Sequence, residues 1–242
     1  IDVNRRNAIR RNHTAAHLLQ AALRFVLGTH VEQAGQLVNE NAVRFDFTHF
    51  SALTDEEKNA VEEYVNAAIL EGITVDNREM PIDEAKKMGA MALFGEKYGD
   101  VVRVVKAGER STELCGGTHV DNTAKIGLFK IASESSVASG VRRIEGYTGY
   151  GVLNLIEKYS KLTADTAQAL KIGNAWGIAE RAQQLTAELK NTEKTLEKLE
   201  AQLASGKVKD LLKNAVSVGS VKLISAVVNG AASDDVKNMC EQ

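Results

Sequence analysis

The sequence predicts an α+β domain, with helices packed on an antiparallel or mixed sheet, followed by a long helical, coiled-coil-like arm. Apolar residues recur at helical spacing in two stretches of the first half, and short alternating or β-branched runs lie between and after them. From about residue 150 the chain turns polar and helical, with leucines at heptad spacing. A single proline favours long uninterrupted helices. With 44% hydrophobic residues, the 242-residue chain can bury one core of about 150 residues and carry an appendage.

Ala16, Leu19, Leu23, Val26 and Leu27 share one face of a first helix. Residues 36–50 alternate (Leu37, Val43, Phe45, Phe47) around Asn39-Glu40-Asn41, which predicts a hairpin. Thr54 followed by Glu57 is a capping box; the helix it opens runs to about Leu70, with Ala60, Val61, Tyr64, Val65 and Ala68 inward. Residues 73–80 read as a strand, 82–88 as a short helix begun by Pro81, and the β-branched run 101–105 as a buried strand. Residues 120–131 and 140–148 complete the sheet. Farther on, Leu185, Leu189, Thr192, Leu196, Leu199 and Leu203 keep heptad register beside Glu193, Lys194, Glu197, Lys198 and Glu200. That stripe is either a coiled-coil arm or one amphipathic helix packed on its own domain, with Gly206 as its expected break. Residues 216–228 predict a strand pair around Gly219-Ser220, and 234–242 the start of a helix, too little to stand alone. The expected division is a domain at 1–150, an arm at 151–206 and the truncated start of a C-terminal domain at 207–242.

Chemistry enters at two short motifs. His13-Thr14-Ala15-Ala16-His17 lies within the first helix, so its two imidazoles fall one turn apart on one face and can reach a single ion. Cys115-Gly116-Gly117-Thr118-His119 places a thiol and an imidazole around two glycines, which let the backbone bend until the two side chains converge. Together the pairs offer four N/S donors, a set that suits tetrahedral Zn²⁺ rather than Mg²⁺ or Ca²⁺. Taken singly, each has a plainer meaning: two unrelated histidines on an amphipathic helix, or a buried cysteine with an ordinary histidine. His30 and His49 are left as structural hydrogen-bonding residues, although His49, following a strand, lies where it can reach the same cleft.

Six ordered strings carry a family resemblance: Arg-Asn-His-Thr-Ala-Ala-His-Leu-Leu at 11–19, Gly-Thr-His-Val-Glu-Gln-Ala-Gly at 28–35, Arg-Phe-Asp-Phe-Thr-His at 44–49, Gly-Ala-Met-Ala-Leu-Phe-Gly-Glu-Lys-Tyr-Gly at 89–99, Cys-Gly-Gly-Thr-His-Val at 115–120 and Gly-Val-Arg-Arg-Ile-Glu at 140–145. Over about residues 1–150 the chain resembles the editing domain of alanyl-tRNA synthetases, continuing into their helical linker and the start of the C-terminal domain. Threonyl-tRNA synthetases share the two half-sites, but the fourth and fifth strings look like the alanyl version. The resemblance implies an aminoacyl-tRNA deacylase that hydrolyses mischarged Ser-tRNA(Ala) or Gly-tRNA(Ala) as the proofreading part of an alanine-tRNA ligase. It implies zinc on His13, His17, Cys115 and His119, and the tRNA(Ala) 3′ end and acceptor stem as partner.

Two positions depart from the family pattern. Ala16 stands where Thr is common, and Gln36 where Ser is common. Thr14 or Gln33 is then left to meet the serine hydroxyl, while Gln33 and the backbone amides of Gly116 and Gly117 are candidates to hold the substrate carbonyl or ribose. Zinc with four protein ligands orders the cleft; with one ligand loose it lowers the pKa of a bound water toward about 7. The alternative is a structural zinc module that binds tRNA and hydrolyses nothing. A metallohydrolase of small substrates is a third class, disfavoured because no Glu stands between the histidines as in H-E-x-x-H sites.

The net charge of −2 gives no global attraction to nucleic acid, so any RNA contact has to be local. Arg5, Arg6, Arg10 and Arg11 beside the first half-site, and Arg142 with Arg143, are either phosphate contacts or solvated faces. Cys115 and Cys240 make no disulfide framework, which implies a reducing setting. The sequence shows no signal peptide, no apolar run near about 18 residues and no recognisable ATP site. These features predict a cytoplasmic, membrane-free fragment of a longer enzyme, and leave open a dimer through the C-terminal part.

Overall fold

A computed structural model describes residues 1–91, 99–213 and 215–225. The chain forms two compact units, Ile1–Ser160 and Lys161–Gln242. The first unit opens with α1 (Val3–Leu27), whose N-cap Asp2 accepts the Arg5 N–H and whose end at Gly28 relies on a positive φ of 114°. One face of α1, carrying Ala15, Ala16, Leu18, Leu19, Ala22 and Leu23, is completely buried. The predicted hairpin follows as β1 (Gln33–Val38) and β2 (Val43–Thr48); Asn39 Oδ1 closes the turn by accepting the N–H groups of Asn41 and Ala42. Val43, Phe45 and Phe47 alternate inward, as the period-two pattern requires. The capping box of Thr54 and Glu57 starts α2 (Asp55–Leu70), which adds Val61, Val65, Ala68 and Ile69 to the same core.

Next come β3 (Val75–Pro81), α3 (Ile82–Lys87), β4 (Val101–Ala107) and β5 (Ser111–Leu114). The three strands form an antiparallel sheet of order β3-β4-β5 over a small core of Ala85, Val102, Val104 and Leu114. The chain then returns through β6 (Phe129–Ala138) and β7 (Val141–Thr148), which join the hairpin in a four-stranded antiparallel sheet of order β1-β2-β7-β6. The architecture is α+β as predicted, but on two antiparallel sheets rather than one. Residues 120–128 are not strand. Asn122 Oδ1 accepts the Ala124 N–H, and Thr123 Oγ1 accepts the Ile73 N–H and donates to Ala68 O, closing a 3₁₀ turn at Thr123–Ile126.

In the second unit, α4 (Tyr150–Ala169), which begins in the first, ends beside Lys171 in the left-handed region at φ 57°. Asn174 Oδ1 accepts the N–H groups of Trp176 and Gly177 ahead of α5 (Ile178–Lys213), a single 36-residue helix about 54 Å long. It exposes Leu189, Leu196, Leu199 and Leu203. Gly206 does not break it, because a lone helical glycine costs only about 1 kcal/mol among good helix formers. A short hairpin, β8 (Val216–Val218) and β9 (Val221–Leu223), turns at Gly219. Most of the 89–99 string, the end of the predicted 216–228 pair, the 234–242 helix and Cys240 lie outside the described residues.

Candidate metal centre

Three elements carry the site. Helix α1 presents His13 and His17 one turn apart, β5 delivers Cys115 at its end, and the two-glycine bend brings His119 back toward the helix. The four side chains each offer one donor atom, all within 4.8 Å of one another. Cys115 Sγ lies 3.5 Å from His13 Nε2 and 3.3 Å from His119 Nε2. A tetrahedral zinc with ligands at about 2.0–2.3 Å sets its donors roughly 3.3–3.8 Å apart, so the cluster already has nearly the required span.

Burial prepares the donors. It pushes His17 down to about 3, helped by His13, and His119 down to about 2, helped by His17, His13, Arg103 and Arg10. His13 is lowered as well, by burial and then by Arg103. All three imidazoles are therefore neutral at pH 7, with a lone pair for a metal. Thr14 Oγ1 donates to Arg10 O and accepts the Val120 N–H, so the His119 Nδ1 at 3.3 Å must itself donate to it. That fixes the His119 tautomer, leaving Nε2 bare on the Cys115 side.

Glu113 completes the surroundings. It stands two residues before Cys115 on β5, buried at 5% exposure, where it accepts from Ser111 Oγ and is pushed up to about 8 by burial. Its Oε2 lies 3.6 Å from His17 Nδ1, which is buried and makes no hydrogen bond. Burial disfavours the charged form of both groups. The donor set and the orphaned nitrogen beside an acid both fit a zinc centre.

Among the other predicted residues, Thr14 is fully buried with its hydroxyl spent inside the protein. Gly117 N–H points at Cys115 Sγ, 3.4 Å away, and a Cβ there would collide with the His13 ring, whereas a Cβ on Gly116 meets nothing. Half-buried Gln33 opens β1 opposite Phe47, at a bulge before Gly35. His49 bonds His30 instead (Nδ1 to Nε2, 3.0 Å), and both rings stack with exposed Phe50. Several of the arginines read as either phosphate contacts or solvated faces are engaged within the protein: Arg5 with Glu40, Arg10 with His119 O, Arg142 with Glu134, and Arg143 in a two-pronged pair with Asp46.

Residues 102–145, which include Cys115 and His119, match the family described as the threonyl and alanyl tRNA synthetase second additional domain. The alanine–tRNA ligase of Acetivibrio thermocellus is 56% identical over 226 residues, 93% of this chain and 26% of that protein. That of Fusobacterium nucleatum subsp. nucleatum is 46% identical over 241 residues, 100% of this chain and 28% of that protein. The chain is homologous to a segment of alanyl-tRNA synthetase. It spans about a quarter of the length of these curated relatives. That of Xanthomonas campestris pv. campestris is 50% identical over 230 residues, 95% of this chain. The synthetase relationship covers both half-sites, since the Fusobacterium match takes in the whole chain and so includes α1. Among the described residues no helix is long and apolar enough to cross a membrane.

Proposed function

We propose that residues 1–150 form an aminoacyl-tRNA deacylase that removes serine or glycine wrongly joined to tRNA(Ala), acting in the cytoplasm within an alanine-tRNA ligase. The observation that carries this is the convergence of His13, His17, Cys115 and His119 to within 4.8 Å in a synthetase homologue. Zinc held by these four residues supplies a Lewis-acidic positive charge at the cleft. In the hydrolysis, water oxygen bonds to the ester carbonyl carbon, the bond from that carbon to the ribose oxygen breaks, and the ribose oxygen leaves with a proton. An aminoacyl ester is already activated, so the protein's task is to orient water and reject the alanyl group. Gln33, whose side-chain amide both donates and accepts, and the Gly116 N–H are the groups assigned to the ester carbonyl and ribose. Thr14 acts through His119 rather than on the substrate, and Gly117 N–H supports the Cys115 sulfur.

One observation favours a second reading. Four protein donors fill a tetrahedral zinc and leave no open position, as in structural sites, where the module would bind tRNA without hydrolysing it. Deacylation separates the two. The zinc-loaded chain should hydrolyse Ser-tRNA(Ala) well above the uncatalysed rate and spare Ala-tRNA(Ala), and Gln33→Ala should slow it roughly 10²–10³-fold with zinc content unchanged. Zinc and tRNA binding without hydrolysis would establish the structural module.

A further inference from the structure

We propose that Arg103 is the positioning residue of the metal centre, gripping the Cys-Gly-Gly bend so that a backbone N–H is aimed at the Cys115 sulfur. The inference rests on the zinc site proposed above. Arg103 lies on β4, where its backbone carbonyl accepts the Cys115 N–H and carries the β4–β5 ladder one step past its last pair, Val104 with Leu114. Its side chain reaches over the same segment. Nη1 donates to Gly116 O at 3.1 Å and Gly117 O at 2.6 Å, while Nη2 donates to Asn77 Oδ1 on β3 at 3.1 Å.

The consequence follows from peptide geometry. In a trans peptide the C=O and the next N–H point in opposite directions. Drawing Gly116 O toward Arg103 therefore turns the Gly117 N–H away from it, and that N–H lies 3.4 Å from Cys115 Sγ. The His13 ring also packs so closely on Gly117 that no Cβ fits. The bend is thus contacted by both a guanidinium and an imidazole of the proposed metal site. A planar fork can grip two carbonyls and an amide oxygen at once, which a lysine ammonium cannot do with the same directions. Among the described residues no carboxylate forms an ion pair with Arg103. Its charge repels a bound cation, so geometry and charge predict opposite effects when Arg103 is replaced.

The test measures metal affinity of the full chain by competition with a chromophoric chelator, using Zn²⁺, and the sulfur-to-metal charge-transfer band with Co²⁺. Arg103→Met and Arg103→Lys should each bind Zn²⁺ about 10–100-fold more weakly than the parent, with an altered Co²⁺ band. Asn77→Ala, which removes only the anchor of Nη2, should weaken binding several-fold and decides the matter if the Arg103 variants fail to fold. Unchanged or tighter binding by Arg103→Met, full recovery by Arg103→Lys, or unchanged binding by Asn77→Ala where it has to decide, overturns the proposal. A parent chain that binds no Zn²⁺ overturns the zinc site along with it, whereas a parent that binds Zn²⁺ but hydrolyses nothing leaves the role of Arg103 standing.

Discussion

Gly116 and Gly117 are neighbours of the same residue type, yet the structure separates them. A Cβ on Gly117 runs into the His13 ring, while one on Gly116 enters open space. Gly117→Ala should therefore displace a ligand, cutting zinc affinity and lowering the midpoint of thermal unfolding, whereas Gly116→Ala should bind zinc as the parent does; chelator competition and a melting curve read both. Thr14 offers a second contrast. Thr14→Val removes the acceptor for both Val120 N–H and His119 Nδ1–H, so zinc binding should weaken about 10–100-fold, and Thr14→Ser should restore it. The clustering of His13, His17, Cys115 and His119 was legible in the sequence because half of the set sits at helical spacing and half around a glycine bend. Glu113 left a fainter signal, two residues before Cys115 and so on the same face of a strand. Arg103 left none, because its reach to Gly116 and Gly117 exists only once β4 and β5 are paired.

At the level of elements, the helices and the first hairpin could be read because each obeys one strong local rule. The capping box at Thr54 and Glu57 forms both reciprocal bonds. Thr54→Ala should cost about 1 kcal/mol, measurable as a lower urea midpoint with an unchanged slope. Residues 120–128 misled the strand prediction because their apolar and threonine content resembles a strand, while Asn122 and Thr123 bond the backbone of their own turn and of the loop between α2 and β3. Strand β5 was missed because four residues show little periodicity. Its importance is out of proportion to its length, since it delivers both Glu113 and Cys115.

Across the whole molecule, the candidate centre joins segments far apart in the chain, α1 and the bend after β5. Zinc that binds only the folded protein would stabilise the first unit by about 2.7 kcal/mol at free zinc 100-fold above its dissociation constant. A chelator should lower the unfolding midpoint of that unit while the helical signal of α5 persists below it. If His13, His17, Cys115 and His119 form one metal centre, a single zinc ion takes its donors from all four. The most direct measurement is X-ray absorption at the zinc edge of the chain loaded with one equivalent. A shared centre should show one sulfur at about 2.3 Å and three nitrogens at about 2.0–2.1 Å. A shell without sulfur, or a shell unchanged in Cys115→Ser, would contradict it.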